Sequence, residues 1–321
     1  MSVSVLIPAF RPAFLGQAIA SVLAQGHEDF ELIVSDDSGG DEVLPVVERF
    51  RDPRIRYVTT AGRTGGGENM RGLWKLAKHD LIKYLFDDDV LMPHALGDLV
   101  DEVTASPEVS FVFGRRQIVD GTGRVLTSPA EFKSERARWD GAALSSGMVG
   151  NIINPIGEFS NFLINRAVGL TEMDFLAYQG CELRVVTDVG FVLNASRRGP
   201  CVGLNRIVGS FRKHGNQNSS PAVNPWFVIG LCEWELFARG ELSSGRLPKA
   251  SALKAIDKLI LVYANWSRTL PAISELAPGL AELRLRVEAG ETAVLDEDFR
   301  SRWAAFVKGI VDGKAALAQG A

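Results

Sequence analysis

The sequence lacks several features that would place it in a protein class at once. It has three cysteines, Cys181, Cys201 and Cys232, whose odd number and wide spacing argue against a disulfide framework or a cysteine metal site and favour a reducing, cytoplasmic setting. No uninterrupted apolar run approaches the roughly 20 residues that cross a bilayer. Residues 1–8 lack the basic start and long apolar core of a signal peptide, so we expect a strand there.

An excess of positive charge is also missing. The 35 basic residues are outnumbered by 39 acidic residues, for a net charge of -4, so no nucleic-acid partner is expected. A hydrophobic content of 46% with 23% charged residues is typical of a globular protein in water. A length of 321 residues suits one large domain, or one domain with a substantial extension.

Strand and helix patterns alternate through the first part of the chain. The period of the apolar residues predicts strands over residues 3–7, 30–34, 55–59 and 81–86, and helices over 14–23, 42–50 and 69–78. This order predicts an α/β fold with a mainly parallel sheet and helices on both faces. Ligands bind such sheets beyond the carboxyl ends of the strands, so residues 8–10, 36–37, 63–71 and 87–89 should converge there.

The rest of the chain is less regular. A helix is expected over residues 95–104, a strand over 109–113 and a hairpin through 120–123. Residues 127–155 have no clear period and predict a mobile loop. From about Trp226 the pattern becomes helical, and the Pro-, Asn- and Ser-rich residues 216–225 are a candidate boundary.

Three consecutive carboxylates, Asp87, Asp88 and Asp89, follow the fourth predicted strand. Adjacent carboxylates repel one another, and a partly buried cluster is costly unless a positive charge lies between them. Oxygen ligands suit Mg2+ or Mn2+, and such ions also bind phosphates. The alternative is an exposed acidic turn before a helix that begins near His94.

The glycines at 65–67 invite two nucleotide-binding interpretations, and both fail. Met70 stands where the dinucleotide-binding fingerprint needs Gly or Ala, and Glu68 stands where a phosphate-binding P-loop needs Lys. The glycines therefore serve a tight turn or let the backbone approach a ligand.

A series of segments resembles the family 2 glycosyltransferases, which have the GT-A fold and use nucleotide-activated sugars. They span about two-thirds of the chain in the family's order. The segments are residues 5–10, 18–25, 30–38, 65–73, 84–93, 157–160, Asp188 and 211–218.

The resemblance implies a GT-A type α/β fold, in which a Rossmann-like, mainly parallel sheet is flanked by helices and followed by a helical C-terminal extension. It implies a catalytic domain over residues 1–220, with a nucleotide-sugar half of about 1–115 and an acceptor half of about 116–220. The extension would cover residues 221–321.

On the donor side, Asp37 is expected to accept a hydrogen bond from a nucleobase such as the N3–H of uracil. The alternative is a turn aspartate bonded to its own backbone. Asp87 is expected near the ribose or the sugar. The residues expected to complete the nucleotide-sugar site are Pro8, Ala9, Phe10, Arg63, Asn69, Arg71 and Asp88. For Arg63, Asn69 and Arg71, the alternative is that they only flank the start of a helix.

The resemblance also implies a bound Mn2+ or Mg2+, held by Asp88, Asp89 and His214. The family commonly has an aspartate where Phe86 stands, so which of the three aspartates binds the metal stays open. A lone histidine more often lies on the surface or caps a helix, which is the alternative for His214. The departing diphosphate would be neutralised by Arg212 and Lys213.

On the acceptor side, Asp188 is the expected general base, which removes the proton of the attacking hydroxyl. Its alternative is a carboxylate that stabilises a helix N-terminus. The family commonly has Glu-Asp where Thr187 and Asp188 stand, and Glu182 is a second candidate for the base. Glu158 and Glu182 are assigned to the acceptor side, and an ordinary loop carboxylate is the alternative for Glu158.

The resulting hypothesis is a metal-assisted, inverting glycosyltransferase that uses a UDP-sugar in bacterial polysaccharide or glycoconjugate biosynthesis, with residues 127–155 closing over the donor. The acceptor could be a glycan, a lipid-linked molecule or a small molecule. A nucleotidyltransferase and a non-catalytic nucleotide-sugar binding protein are the alternatives. The C-terminal helices, with apolar residues 225–231, leave open a homodimer contact or peripheral attachment at the inner face of the membrane.

Overall fold

The computed structural model describes residues 1–128, 132–215 and 226–319. The chain divides into two compact units. The first comprises Met1–Trp139, Ile156–Met173 and Ala195–His214, and the second comprises Asp140–Pro155, Asp174–Asn194 and Gly215–Ala321. The candidate boundary at residues 216–225 lies outside the described residues.

The secondary structure follows the alternation predicted for the first part and is mainly helical after residue 226. The strands are β1 (Val3–Ala9), β2 (Phe30–Asp36), β3 (Ile55–Thr59), β4 (Leu81–Tyr84), β5 (Val90–Leu91), β6 (Phe111–Val119), β7 (Val125–Thr127), β8 (Arg136–Trp139), β9 (Phe162–Asn165), β10 (Ala177–Tyr178), β11 (Cys181–Glu182) and β12 (Cys201–Arg212). The α-helices are α1 (Pro12–Leu23), α2 (Leu44–Val47), α3 (Gly66–Leu76), α4 (Ala95–Ala105), α5 (Gly141–Met148), α6 (Met173–Leu176), α7 (Thr187–Ala195), α8 (Phe227–Ser243), α9 (Lys249–Trp266), α10 (Ile273–Glu288) and α11 (Glu297–Gln319).

The sheet of the first unit has the strand order β3-β2-β1-β4-β9-β6-β12-β5. The first four strands are parallel, whereas β9 runs antiparallel to both β4 and β6. Strand β12 is parallel to β6 and antiparallel to β5. The predicted α/β fold is confirmed, and the sheet is mixed in its second half.

The core of this unit explains why its strands are continuous apolar runs. Val3, Val5 and Ile7 of β1 are fully buried, as expected for a strand in the middle of a sheet that is covered on both faces. Helix α1 begins at Pro12, a favoured first helical residue. It buries Leu15, Ala18, Ile19 and Val22, which recur at helical spacing.

The second unit is built mainly from helices. Inside it, Arg239 and Glu235 of α8 form a buried ion pair at 2.8 Å, and Tyr263 of α9 donates to the other Glu235 oxygen at 3.1 Å. These contacts satisfy polar groups that would otherwise be costly to bury. Among the described residues, none of the helices combines the length and the apolarity needed to cross a membrane.

The predicted loop over residues 127–155 is wrong in its central part, which contains β8 and α5. Trp139 of β8 stacks on Phe113 at 5.6 Å, and Asp140 caps α5 by accepting from the Ala143 amide at 2.8 Å. Neither an aromatic contact nor a single helix cap gives a regular spacing of apolar residues, so the sequence pattern did not indicate these two elements. Residues 129–131 of the predicted loop lie outside the described residues.

Candidate active site

The carboxyl ends of β1 and β4 are joined through Asp87. Its Oδ2 accepts hydrogen bonds from the backbone amides of Phe10 at 2.7 Å and Arg11 at 2.8 Å. Burial raises the pKa of the Asp87 carboxyl, while these two amides act in the opposite direction. Neighbouring parallel strands end at the same edge of a sheet, and Asp87 ties two of these ends together.

Asp37, at the end of β2, holds the loop that follows β3. Its carboxylate accepts from the Thr60 hydroxyl at 2.7 Å, the Thr64 amide at 2.7 Å and hydroxyl at 2.8 Å, and the Gly65 amide at 2.8 Å. Burial raises the pKa of Asp37, but these hydrogen bonds outweigh burial and leave the pKa below its usual value. The carboxylate is therefore anchored to the loop, and its contact with a nucleobase stays a prediction.

An aromatic ring flanked by cations lies next to Asp87. Phe10 is 41% exposed, and the guanidinium groups of Arg11 and Arg63 lie 5.3 and 5.5 Å from the centre of its ring. Arg63 also donates to the Ser38 carbonyl at 2.7 Å. An exposed ring next to positive charge suits a flat, anionic ligand such as a nucleotide.

An open pocket of about 340 Å³ lies between α3 and the strands β2 and β3. It is lined by Ser35, Val58, Thr59, Thr60, Thr64, Glu68, Asn69, Gly72 and Leu76. Asn69 donates to the Ser35 carbonyl at 3.2 Å, and its Oδ1 is buried without a hydrogen-bond partner in the described part of the chain. Arg71 instead forms an ion pair with Glu68 at 2.5 Å on an exposed face of α3. Of these two predicted residues, Asn69 alone lines this pocket.

Asp88 and His214 lie 126 residues apart in the chain and are brought together within the first unit. Their Oδ2 and Nε2 atoms are 3.0 Å apart, and both side chains are partly exposed. His214 follows β12, whose antiparallel pairing with β5 brings it next to the aspartates. The His214 ring packs on Phe14 of α1 at 5.4 Å, which orients the imidazole.

Asp89 faces inward, unlike Asp88. It is 2% exposed, its Oδ1 accepts from the Arg212 amide at 3.1 Å, and its Oδ2 is buried without a hydrogen-bond partner among the described residues. Burial raises its pKa well above the usual value, and the negative charge of Asp88 adds to the rise. The strand predicted over residues 81–86 is shorter in the structure, because β4 ends at Tyr84 and the Asp89 amide closes a turn onto the Phe86 carbonyl at 3.2 Å.

Arg212, expected at the diphosphate, braces the aspartate turn. It is 2% exposed and donates to the Asp88 carbonyl at 2.9 Å and to Gln17 Oε1 at 2.7 Å. Its guanidinium also lies 4.4 Å from the centre of the Phe14 ring. These contacts favour a supporting role, and contact with a diphosphate stays a prediction. Lys213 is exposed, and its contact with the diphosphate stays a prediction.

Lys83 of β4 lies next to the site and is not among the residues predicted from the sequence. It is fully buried, and its Nζ donates to the carbonyls of Ser160 and Phe162. Burial lowers its pKa to about 7, although the charges of Asp89 and Glu158 act in the opposite direction. The sequence did show a lysine inside an otherwise apolar strand, which could have indicated a buried cation. The same pattern also fits a strand whose polar face is exposed, so the sequence alone did not distinguish the two.

Glu158, assigned to the acceptor side, is paired within the first unit. Its Oε1 lies 2.9 Å from Arg116 Nε, and both side chains are less than a quarter exposed. Gly157 has a φ of +99°, and a Cβ there would lie 2.6 Å from the Arg116 guanidinium, so glycine lets the arginine lie across the turn. Contact of Glu158 with an acceptor stays a prediction.

The two candidate bases belong to the second unit. Asp188 lies in the first turn of α7, where its Oδ1 accepts from the Val189 amide at 2.9 Å and its Oδ2 accepts from Asn154 Nδ2 at 2.8 Å. Glu182 is exposed and forms an ion pair with Arg184 at 2.6 Å. Asp188 is the more firmly oriented of the two, because two hydrogen bonds hold its carboxylate.

Comparison with known proteins identifies the family to which the N-terminal half belongs. A family model, Glycosyl transferase family 2, matches residues 4–158. These residues belong to glycosyl transferase family 2. The family predicted from the sequence is thereby confirmed.

Two curated relatives match over part of their length. An uncharacterized glycosyltransferase of Nostoc sp. is 32% identical over 39% of this chain and 40% of its own. The GalNAc(5)-diNAcBac-PP-undecaprenol beta-1,3-glucosyltransferase of Campylobacter jejuni is 35% identical over 35% of this chain and 37% of its own. The match thus spans well under half of each of these relatives.

A solved structure extends the likeness in fold. Residues 1–349 of S. aureus TarS, in complex with UDP-GlcNAc, match with a TM-score of 0.57 and 15% identity, over 91% of this chain and 93% of that chain. At this identity the likeness establishes the fold alone, which is of the GT-A type predicted from the sequence.

The family resemblance implies a divalent cation, and the donor atoms at Asp88 and His214 fit one. A carboxylate oxygen and an imidazole nitrogen 3.0 Å apart can bind the same ion, and Mg2+ or Mn2+ commonly takes its remaining ligands from phosphates and water. Within residues 1–128, 132–215 and 226–319, no group of three or more His, Cys, Asp or Glu side chains gathers around one point. The expected role of Asp89 as a further ligand stays a prediction.

Proposed function

We propose that the protein is an inverting glycosyltransferase that transfers a sugar from a UDP-sugar to a hydroxyl group of a lipid-linked glycan. The observation that carries the proposal is the Asp88–His214 pair, which lies at the strand ends of a family 2 segment. The undecaprenol-linked substrate in the name of the Campylobacter relative and the UDP-GlcNAc bound to TarS support the choice of acceptor and donor.

The donor would bind along the edge formed by β1, β2 and β4. Phe10 offers an exposed ring to the base, and the flanking Arg11 and Arg63 offer positive charge to the phosphates. Asp37 and Asp87 keep this edge in place through hydrogen bonds to backbone amides. A site that is already ordered before binding loses less entropy when the ligand arrives.

The largest charge change in the reaction develops on the departing nucleoside diphosphate. Asp88 and His214 would hold Mn2+ or Mg2+, which when bound offsets the negative charge of the diphosphate. The exposed Lys213, next to His214 in the chain, adds a positive charge near the same place. Asp188 is the proposed base for the acceptor hydroxyl, which attacks C1 from the face opposite the diphosphate and inverts its configuration.

Calorimetric titration of UDP, GDP and dTDP, with and without Mn2+, tests the donor site. We expect UDP to bind more tightly with Mn2+. Asp88→Ala and His214→Ala should each weaken the Mn2+-dependent binding by about 10-fold or more and leave the Mn2+-free binding unchanged. His94→Ala removes a histidine whose side chain is half exposed and serves as the control. Absence of binding by all three nucleotides would contradict the proposed donor site.

The reaction products distinguish sugar transfer from the two alternative functions. With a UDP-sugar and an undecaprenyl-diphosphate glycan, a glycosyltransferase releases UDP and extends the glycan. Release of pyrophosphate would instead identify a nucleotidyltransferase. Tight UDP binding without turnover on lipid-linked, free glycan and small-molecule acceptors would favour a non-catalytic nucleotide-sugar binding protein.

A further inference from the structure

A buried carboxylate in the second unit clamps the backbone just before α7. Glu233 of α8 is fully buried, and its two oxygens accept from the amides of Arg184 at 2.5 Å, Val185 at 3.2 and 3.3 Å, and Val186 at 2.5 Å. The amides of residues 184–186 precede α7, which begins at Thr187, and buried amides outside a helix or sheet need another acceptor. Asp188 follows two residues after this clamp.

Two glycines let the clamped turn approach closely. A Cβ at Gly230, one turn before Glu233 on α8, would lie 2.7 Å from Val185 Cγ1. A Cβ at Gly190 of α7 would lie 2.2 Å from Leu183 Cδ1. Both distances are too short for a methyl group, so packing and hydrogen bonds restrain residues 183–186 together.

The clamp has an energetic cost that ordinary packing would avoid. Burial raises the pKa of Glu233 to about 7, and the negative charge of Asp188 adds to the rise, whereas the three amides act in the opposite direction. The environment of Glu233 therefore disfavours the ionised form of its side chain. Its geometric contribution is the placement of three consecutive amides just before α7.

We propose that Glu233 is a positioning residue, which holds the amides of residues 184–186 and thereby fixes where α7 begins and where the Asp188 carboxylate points. The inference rests on the proposed function, in which Asp188 is the base. Glu233 itself touches no substrate in this proposal. It acts through the turn that carries the base.

Hydrogen exchange tests the clamp without reference to activity. In Glu233→Gln, the side-chain NH2 would face an amide donor, so we expect exchange over residues 183–189 to become at least about tenfold faster. Glu235→Gln is the matched control, because Glu235 is also buried on α8 but bonds to Arg239 and Tyr263. Unchanged exchange over this segment in Glu233→Gln would overturn the proposal.

Turnover tests the connection to Asp188. Glu233→Gln is expected to lower kcat about tenfold with an unchanged KM for the donor, and to have no further effect when Asp188→Asn is already present. An equal tenfold loss in that background would indicate a general structural effect and would overturn the positioning role. Gly230→Ala displaces Val185 but keeps the carboxylate, so it gives a second test of the same turn if Glu233→Gln does not fold.

Failure of the proposed base gives a different result. If Asp188→Asn and Glu233→Gln both turn over like the wild type while exchange is faster, the turn is clamped but carries no base. That outcome overturns the positioning role and the assignment of Asp188, and leaves nucleotide binding at Asp88 and His214 untouched.

Discussion

At the scale of single residues, the aspartate cluster has three different environments. Asp87 is bonded to the end of β1, Asp88 faces His214, and Asp89 is buried against the Arg212 backbone. The sequence placed all three at a strand end but left open which one binds a metal. Only the turn that follows β4 separates their roles, since it rotates each carboxylate in a different direction.

The buried Lys83 is expected to stabilise the packing of β4 against the segment that leads into β9. Lys83→Met at pH 6 should lower the free energy of unfolding by about 1–3 kcal/mol, because the buried carbonyls of Ser160 and Phe162 would lose their hydrogen-bond donor. Chemical denaturation measures the change. Lys75→Met, which removes an exposed lysine paired with Glu172, is the control and should change it by less than about 0.5 kcal/mol. Equal effects of the two variants would contradict the role of Lys83.

At the scale of elements, the sequence located most strands and helices and missed those that depend on distant partners. The helix predicted over residues 14–23 is α1, and the helical pattern after Trp226 is α8 to α11. Strand β8 was missed because its Trp139 packs on Phe113 and Phe132, which are distant in sequence or lie in an irregular segment. The spacing of apolar residues indicates which face of a strand or helix is buried, and β8 has too few residues to show such a spacing.

The glycine opposite this aromatic cluster is expected to be required. A Cβ at Gly203 of β12 would lie 2.6 Å from Trp139 and 2.8 Å from Phe113, so Gly203→Ala should destabilise the protein by about 1–3 kcal/mol. Thermal unfolding measures the change. Gly97→Ala on α4 meets no atom within 4 Å and should instead stabilise by about 0.5–1 kcal/mol. A neutral Gly203→Ala would show that the cluster can rearrange.

The junction of α7 and α8 should give a measurable pH dependence. Glu233 has a folded pKa of about 7 against an ordinary value of 4.5, so the folded state binds the proton more tightly. Its contribution is fully present below about pH 4.5 and is lost as the pH rises towards 7. The free energy of unfolding of the wild type should therefore fall relative to Glu233→Gln across this window. Parallel curves for the two proteins from pH 4.5 to 7 would contradict the raised pKa.

At the scale of the whole molecule, the first unit is assembled from three separate stretches of chain. Strand β9 inserts between β4 and β6, and β12 pairs with β6 and β5. We therefore expect a fragment of residues 1–139 to fail to fold cooperatively, because two inner strands of its sheet are missing and their neighbours would be left with unpaired backbone groups. Circular dichroism during urea unfolding measures this. A cooperative transition with retained UDP binding would show that the sheet forms without β9 and β12.

The sequence by itself determined the α/β alternation, the family and the strand ends at which the site residues lie. Period and short motifs carry that information, because both depend on neighbours within about ten residues. The tertiary structure alone decided that Asp88 meets His214, that Asp89 turns inward to the Arg212 backbone, and that Glu233 clamps the backbone just before α7. Each of these contacts joins residues that are far apart in the chain. Strand pairing or helix packing brings them together, and neither leaves a local pattern in the sequence.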